Sequence, residues 1–391
     1  MKQRRSDYRI DAWLLVTFLV LMAVGILMVS STSMVISDHL YHYPFHYVLR
    51  QSIYVVLGLL LLLCVMQVPI ERWQQISGYL LVLSMLALIL VLIPGIGKSV
   101  NGSRRWIHLG FASLQVTEFV KLMAIMYLSS YLVRYQAAVM RGGSAAIKPL
   151  IILAIMAILL LLEPDFGTFV VITITFFALL FVAGVPLRLF ALLVLVALLG
   201  LSAIALFSPY RLARLTTFLH PWAHQFGSGY QLTQSLIAFG RGGLWGVGLG
   251  NSVQKLFYLP EAHTDFIFAV LVEELGFVGG LVLLMLYVML TVRIFKVSMR
   301  AFVVDKLYEA YVALGVGCWF CAQVFINVGV STGVLPTKGL TLPFVSFGGS
   351  SLLANCIAIA LVLRISCEVE GASPAAGMVH KMLTRRRIKE G

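Results

Sequence analysis

Two stretches decide the fold class: LLVTFLVLMAVGILMV at 14–29 and LLVLSMLALILVLI at 80–93 are apolar on every face of a helix, with no in/out alternation. A helix greasy all round is buried in protein or in lipid, and a barrel strand would alternate over about ten residues. Such runs recur along the 391 residues, of which 60% are apolar and 12% charged, against roughly a quarter charged in a soluble domain. Soluble enzymes and disordered chains are thereby excluded. A spanning helix needs about 20 apolar residues. The sequence predicts an all-α polytopic membrane protein of about ten spans: 12–33, 47–67, 76–94, 114–133, 149–163, 167–184, 187–208, 266–292, 307–331 and 346–367. The first run is too long for a cleaved signal and reads as an uncleaved span.

The formal charge of +13 is topological. With the N-terminus inside, nineteen of the 29 Lys and Arg fall on cytoplasmic segments, nine on outer ones, and Lys121 within a span. The positive-inside rule places both termini in the cytoplasm. Residues 1–11 and 368–391 are then tails flanking one membrane domain at 12–367. The TRRRIK near the end suits anionic lipid better than nucleic acid. Cys318-Trp-Phe-Cys321 has redox spacing but lies in an apolar helix, and a metal at His39, His42 and His46 is disfavoured by Pro44 and the surrounding aromatic belt.

Polar residues gather on the outer side. PGIGKSVNGSRRWIHLG at 94–110 carries Lys98, Arg104 and Arg105 where cations are disfavoured, which suggests an anionic ligand or snorkelling to lipid phosphates. Glu118 and Lys121 share one face of a span and should pair, as a structural bridge or as functional groups. Glu163-Pro-Asp165-Phe-Gly167 makes a tight turn with two carboxylates. The long outer loop 209–265, between the seventh and eighth spans, ends in the densest polar stretch, with Lys255, Glu261, His263 and Asp265. Asp265 or Thr264 could simply cap the next helix; that leaves Lys255, Glu261 and His263 unexplained. The glycines of 240–250 mimic a phosphate loop but lack a preceding strand and a GKS or GKT, so close packing or a bend is the better reading. A further outer segment, 331–351, holds Lys338 among hydroxyls and turn formers. Cations and acids around an outward cleft suit a substrate with phosphate and hydroxyl groups. Without a nucleotide motif, the donor must carry its own leaving group, as a polyprenyl diphosphate sugar does, with one carboxylate taking the acceptor's proton.

These motifs resemble a known family. NGSRRWI (101–107), LQVTEFVKL (114–122), EPDFGT (163–168), GYQLTQSLIAFGRGG (229–243), KLFYLPEAHTDFIFAVLVEELG (255–276) and TGVLPTKGLTLPFVSFGGSS (332–351) look like the SEDS proteins of bacterial wall synthesis, closer to the cell-division branch than to the elongation branch. The resemblance implies a peptidoglycan glycosyltransferase that polymerises lipid II at the septum and releases undecaprenyl diphosphate, in the inner membrane with its active site on the periplasmic face. It also implies partners: the nascent glycan strand, a class B penicillin-binding protein of the FtsI type, and other divisome proteins such as FtsQ, FtsL, FtsB and FtsN. Asp265 aligns with the family's essential outer-loop aspartate and is expected to be the general base. Trp106, Glu118, Lys121, Glu163 and Lys255 fall in functional motifs. With Arg104, Arg105, Glu261, His263 and Lys338 they are the expected substrate contacts. One departure is Val116-Thr117, where the family commonly has Pro-Ser. A divalent cation such as Mg²⁺ or Mn²⁺ at the diphosphate is chemically reasonable, though no ligand set stands out, and no nucleotide is implied. The competing class is a flippase that moves the lipid-linked precursor outward.

Overall fold

A computed structural model describes residues 10–100, 103–108, 110, 113–206, 217–337 and 339–370. The protein is a multi-pass helical membrane protein. Its long apolar helices are α1 (Ala12–Tyr41), α2 (His46–Met66), α3 (Ile70–Leu92), α4 (Val116–Arg134), α6 (Ser144–Leu162), α7 (Phe166–Val182), α8 (Leu187–Leu206), α10 (Ile267–Val303), α11 (Leu307–Ser331) and α12 (Gly349–Glu370). Eight of them are long and apolar enough to cross a membrane, and α7 and α8 are shorter apolar helices. Two short helices also lie among the described residues, α5 (Gln136–Arg141) and α9 (Tyr230–Gly242). The helices fall where the apolar runs predict them, but α1, α3 and α10 extend further, because residues beyond the apolar core still wind while satisfying their backbone internally.

The helical class expected from the sequence holds, and the structure adds one small sheet to it. The 94–110 segment is no plain loop: β1 (Gly97–Val100), β2 (Ser103–His108) and β3 (Ser113–Gln115) form an antiparallel sheet ordered β1-β2-β3, with Trp106 opposite Lys98 on one side and Gln115 on the other. Arg104, Arg105, Trp106 and Ile107 run two polar then two apolar, so the strand carries no period-2 signature in the sequence. The long 209–265 segment likewise contains a helix, α9, and a single π turn at Gln254–Tyr258.

Helices α4, α11 and α12 form the buried centre, while α2, α3 and α6 turn broad apolar faces outward. Helix α10 breaks at Gly276, whose backbone (φ 72°) lies in the left-handed region. The exposed backbone groups of the break pair with the glycine-rich segment: Val247 and Gly248 N–H donate to the Glu273 and Glu274 carbonyls (3.0 Å each), and Phe277 and Val278 N–H donate to Gly243 (2.9 Å) and Leu244 (3.2 Å). The glycines serve this close approach, since a Cβ on Gly246 would lie 2.2 Å from the Glu274 carbonyl oxygen. They cradle backbone rather than phosphate.

The segment 332–348 re-enters the bundle. Its tip, Phe344 and Val345, is buried, and Phe344 packs edge-on to Phe18 of α1 (5.2 Å) and Phe320 of α11 (5.5 Å). Gly25 makes room for it, because a Cβ there would meet the Phe344 carbonyl oxygen at 2.2 Å. Irregular backbone survives at this depth only when protein satisfies it. Tyr287 Oη donates to the Pro343 carbonyl (2.5 Å), Gln323 Nε2 to that of Thr341 (2.8 Å) and Asn327 Nδ2 to that of Leu340 (2.6 Å). At the opposite end, ion pairs such as Arg293–Asp11 (2.6 Å) and Lys306–Glu368 (3.6 Å) tie neighbouring helices together.

Candidate active site

The sheet, the α6–α7 turn, the 217–266 segment, the re-entrant segment and the α1–α2 turn meet at one end of the bundle. Phe347 N–H donates to the His263 carbonyl (2.9 Å), Gln115 N–H to Ser350 Oγ (2.8 Å), and a Cβ on Gly167 would touch the Leu340 side chain (2.9 Å).

Asp265 lies half-buried at the entrance to α10. The backbone of Gly339 runs against its carboxylate so closely that a Cβ there would stand 2.7 Å from Asp265 Oδ2. Asn327 Nδ2 donates to the Asp265 carbonyl (2.9 Å), and Ser346 Oγ donates to that of Thr264 (2.5 Å). Upstream, Glu261 has positive φ (58°) and its Oε2 accepts from Thr264 Oγ1 (2.6 Å), while its carbonyl accepts from the N–H of Thr264 and of Phe266 (3.2 Å each). Glu261 therefore shapes the turn that presents Asp265. His263 packs between Tyr47 (5.0 Å) and Phe347 (5.8 Å), and burial pulls its imidazole below the ordinary range while Glu261 pulls the other way. Its contacts are aromatic, those of a core histidine.

Glu118 and Lys121 pair as their spacing predicts, with Lys121 Nζ 2.9 Å from Glu118 Oε2 in the first turns of α4, which starts at Val116 despite the missing proline. Both are buried. Lys121 also donates to Gln323 Oε1 (2.8 Å) and sits 4.8 Å over the Trp319 ring, whose Nε1 shares the same oxygen (2.7 Å). Gln323 and Asn327 are one helical turn apart on α11, about 6 Å along its axis. One polar stripe thus serves both the buried pair and Asp265.

At the α6–α7 turn, Asp165 caps α7 through Thr168 N–H (3.3 Å) and Oγ1 (2.9 Å). Arg105 reaches across from β2 to the carbonyls of Glu163 (3.4 Å) and Pro164 (2.6 Å) and to Asp165 Oδ1 (3.7 Å). Glu163 differs from every other acid here. Its side chain is fully buried, neither oxygen has a hydrogen-bond partner among the described residues, and burial, with Asp165 nearby, pushes it up to about 8 against the pull of Arg105.

The single outward cluster of cations drawn from the sequence divides into three. Lys255 is buried, with Nζ 2.8 Å from Glu274 Oε1 and 2.9 Å from Ser31 Oγ of α1, so its charge is spent inside the protein. Arg104 has different neighbours from Arg105, which the pairing with β1 skips at a register shift, and it lines a separate cavity of about 550 Å³ with Lys98 and His108. Lys338 lies outside the described residues. Trp106 sits half-buried in the middle strand. Glu273 is also internal, accepting from Ser252 Oγ and from the N–H of Val253 (3.1 Å) and Gln254 (3.3 Å). Among the described residues no three His, Cys, Asp or Glu gather as a metal cage.

The sequence reading missed Ser31, Gln323 and Asn327, and placed Ser346 only among the hydroxyls of 331–351. A signal for two of them exists: Trp319, Gln323, Asn327 and Ser331 recur every four residues, a polar stripe along one face of an otherwise apolar span.

Comparison with known proteins agrees with this architecture. A protein from Coxiella burnetii named "Probable peptidoglycan glycosyltransferase FtsW" is 59% identical over 369 residues, covering 94% of this chain and 99% of that one. One of the same name from Legionella pneumophila is 53% identical, covering 92% and 91%. Among solved structures, a chain of a peptidoglycan synthase complex, described as coordinating polymerization and crosslinking, superposes with TM-score 0.76 at 28% identity, covering 92% and 98%. The rod shape determining protein RodA of Thermus thermophilus gives 0.68 at 29%, covering 92% and 97%. The model of the cell cycle protein family of FtsW, RodA and SpoVE matches residues 11–371, and the chain belongs to that family.

Proposed function

We propose that this chain is a peptidoglycan glycosyltransferase that polymerises lipid II into glycan strands, with Asp265 as general base. Glycosyl transfer is supported by relatives of that name at 53% and 59% identity over nearly the whole chain. The observation that carries the base assignment is the half-buried Asp265 carboxylate, set against Gly339 on a turn held by Glu261, Thr264 and Asn327. The acceptor sugar hydroxyl gives its proton to Asp265 as its oxygen bonds the donor's anomeric carbon. The bond from that carbon to the diphosphate breaks, and undecaprenyl diphosphate leaves with its electron pair. One base and attack from the opposite face give inversion without a covalent intermediate. Arg105 and Trp106 border the substrate in this reading, with Glu163 buried behind Arg105. Glu118 and Lys121 supply a fixed field behind it, and stabilising the departing negative charge falls to the cations.

The site end is periplasmic and the enzyme works at the division septum. The positive-inside count and the division name of the relatives support this. A class B penicillin-binding protein of the FtsI type is its crosslinking partner, a reading supported by the complex in which the similar chain was solved. FtsQ, FtsL, FtsB and FtsN complete the proposed assembly. The test is strand formation from purified lipid II in liposomes, with the partner's transpeptidase site inactivated, comparing wild type with Asp265→Asn. Polymer from the first and none from a folded second supports the assignment. Polymer from neither, with lipid II translocation in the same vesicles, overturns it in favour of a flippase.

A further inference from the structure

The peptide groups around Asp265 are held from two directions. Asn327 is buried in the middle of α11's polar stripe, and its Nδ2 donates to two main-chain carbonyls at once, Asp265 (2.9 Å) and Leu340 (2.6 Å). Two carbonyl oxygens can be met only by the amide's N–H groups, which fixes the orientation of the side chain. Ser346, also buried, donates from Oγ to the Thr264 carbonyl (2.5 Å) and accepts from Leu342 N–H (2.8 Å). Each side chain therefore ties the entrance of α10 to the re-entrant segment. That segment places Gly339 against the Asp265 carboxylate, with no room for a Cβ. These two bridges, with the bond from Phe347 N–H to the His263 carbonyl (2.9 Å), hold the aspartate's turn against the backbone facing it.

We propose that Asn327, seconded by Ser346, is a positioning residue for the general base: it touches no substrate, and it fixes where the Asp265 carboxylate stands by clamping the carbonyls of residues 265 and 340. The inference rests on the reading of Asp265 as base. A general base must stand within hydrogen-bond reach of the hydroxyl it serves, and a misplacement of about 1 Å can cost on the order of 100-fold in rate. Without the clamp, the bond from Phe347 N–H to the His263 carbonyl (2.9 Å) still joins α10's entrance to the re-entrant segment, but the peptide groups of residues 265 and 340 are no longer tied to each other.

The test uses the full chain with its class B partner in liposomes. It measures kcat and KM for lipid II together with the thermal midpoint. Asn327→Asp is nearly isosteric but turns oxygens toward both carbonyls. It is expected to lower kcat by about 10- to 100-fold while KM stays within about twofold. Ser346→Ala removes one bridge and is expected to lower kcat severalfold with the same KM. A folded Asn327→Asp enzyme with kcat within about twofold of wild type overturns the proposal, as does a KM that rises as much as kcat falls. If Asn327→Asp does not accumulate, Ser346→Ala decides by the same criteria. Asp265→Asn in parallel separates the two claims: full activity there sinks the base assignment itself, whereas an inactive Asp265→Asn beside a fully active Asn327→Asp sinks only the positioning role.

Discussion

The polar stretch from Ser252 to Glu274 holds two regions that look alike in sequence and differ in the fold. In one, Lys255, Glu273 and Glu274 are buried and answered by protein: Lys255 by Glu274 and Ser31, Glu273 by Ser252 and the turn's own N–H groups. In the other, Glu261 and Asp265 remain half-buried on a turn braced by neighbours. A charge inside a membrane protein is costly, so it is kept either to join helices or to meet a ligand. Density of polar residues marks such a region, but it does not separate the two uses. The separation comes from how deeply the fold buries each group, which the polar pattern does not carry.

This comparison can be broken by exchanging effects between the halves. Asp265→Asn is expected to lower polymerisation by about 100- to 10,000-fold, with an unchanged thermal midpoint. A drop in midpoint instead would move Asp265 to the structural half. Lys255→Ala leaves the Glu274 carboxylate buried with no counter-charge and only the Ser31 hydroxyl (2.6 Å) to answer it, and should cost about 3–5 kcal/mol of stability by denaturation in detergent. The paired change Lys255→Met with Glu274→Leu should recover most of that loss, since an apolar pair often replaces a buried ion pair at little cost. If the double variant folds well yet no longer polymerises, Lys255 belongs with the substrate after all. Ser252→Ala, which strips one donor from Glu273, should cost about 1–3 kcal/mol and leave KM for lipid II unchanged.

Glu163 fits neither half, being buried yet without a hydrogen-bond partner among the described residues. Its folded-state proton is held to about pH 8, against an ordinary value of 4.5. Its stabilising contribution is therefore full below the ordinary value and is lost as pH rises toward 8. Glu163→Gln keeps the shape and removes the titration. The melting temperatures of the two proteins should diverge between about pH 5 and about pH 9, with the variant relatively more stable at the alkaline end. Parallel curves would mean that Glu163 is already ionised against a partner.

The membrane helices and the pairing of Glu118 with Lys121 were legible in the sequence because both depend on local period. Apolar runs of spanning length read directly, and a spacing of three on a helix brings two side chains together. The sheet was hidden because three short strands sit between long apolar helices. The fate of Lys255 was hidden because Ser31 lies 224 residues away. Arg104 and Arg105 read as one cluster because adjacency in sequence suggests proximity, whereas the register shift between β1 and β2 gives them different neighbours. Asn327 and Gln323 were visible as a four-residue period, yet each serves backbone carbonyls of an irregular segment, and no pattern announces that segment's depth.

That re-entrant segment has an electrical consequence. A wet, charged site at one end of a helical bundle invites a leak, since each elementary charge crossing the membrane releases about 2.3 kcal/mol per 100 mV. Phe344 and Val345, wedged beside Phe18 and Phe320, put hydrocarbon on the path between the hydrated end and the other side. The same stretch of chain whose base forms a wall of the site is, at its tip, an insulator, so the bundle can admit a diphosphate at its surface without discharging the membrane that holds it.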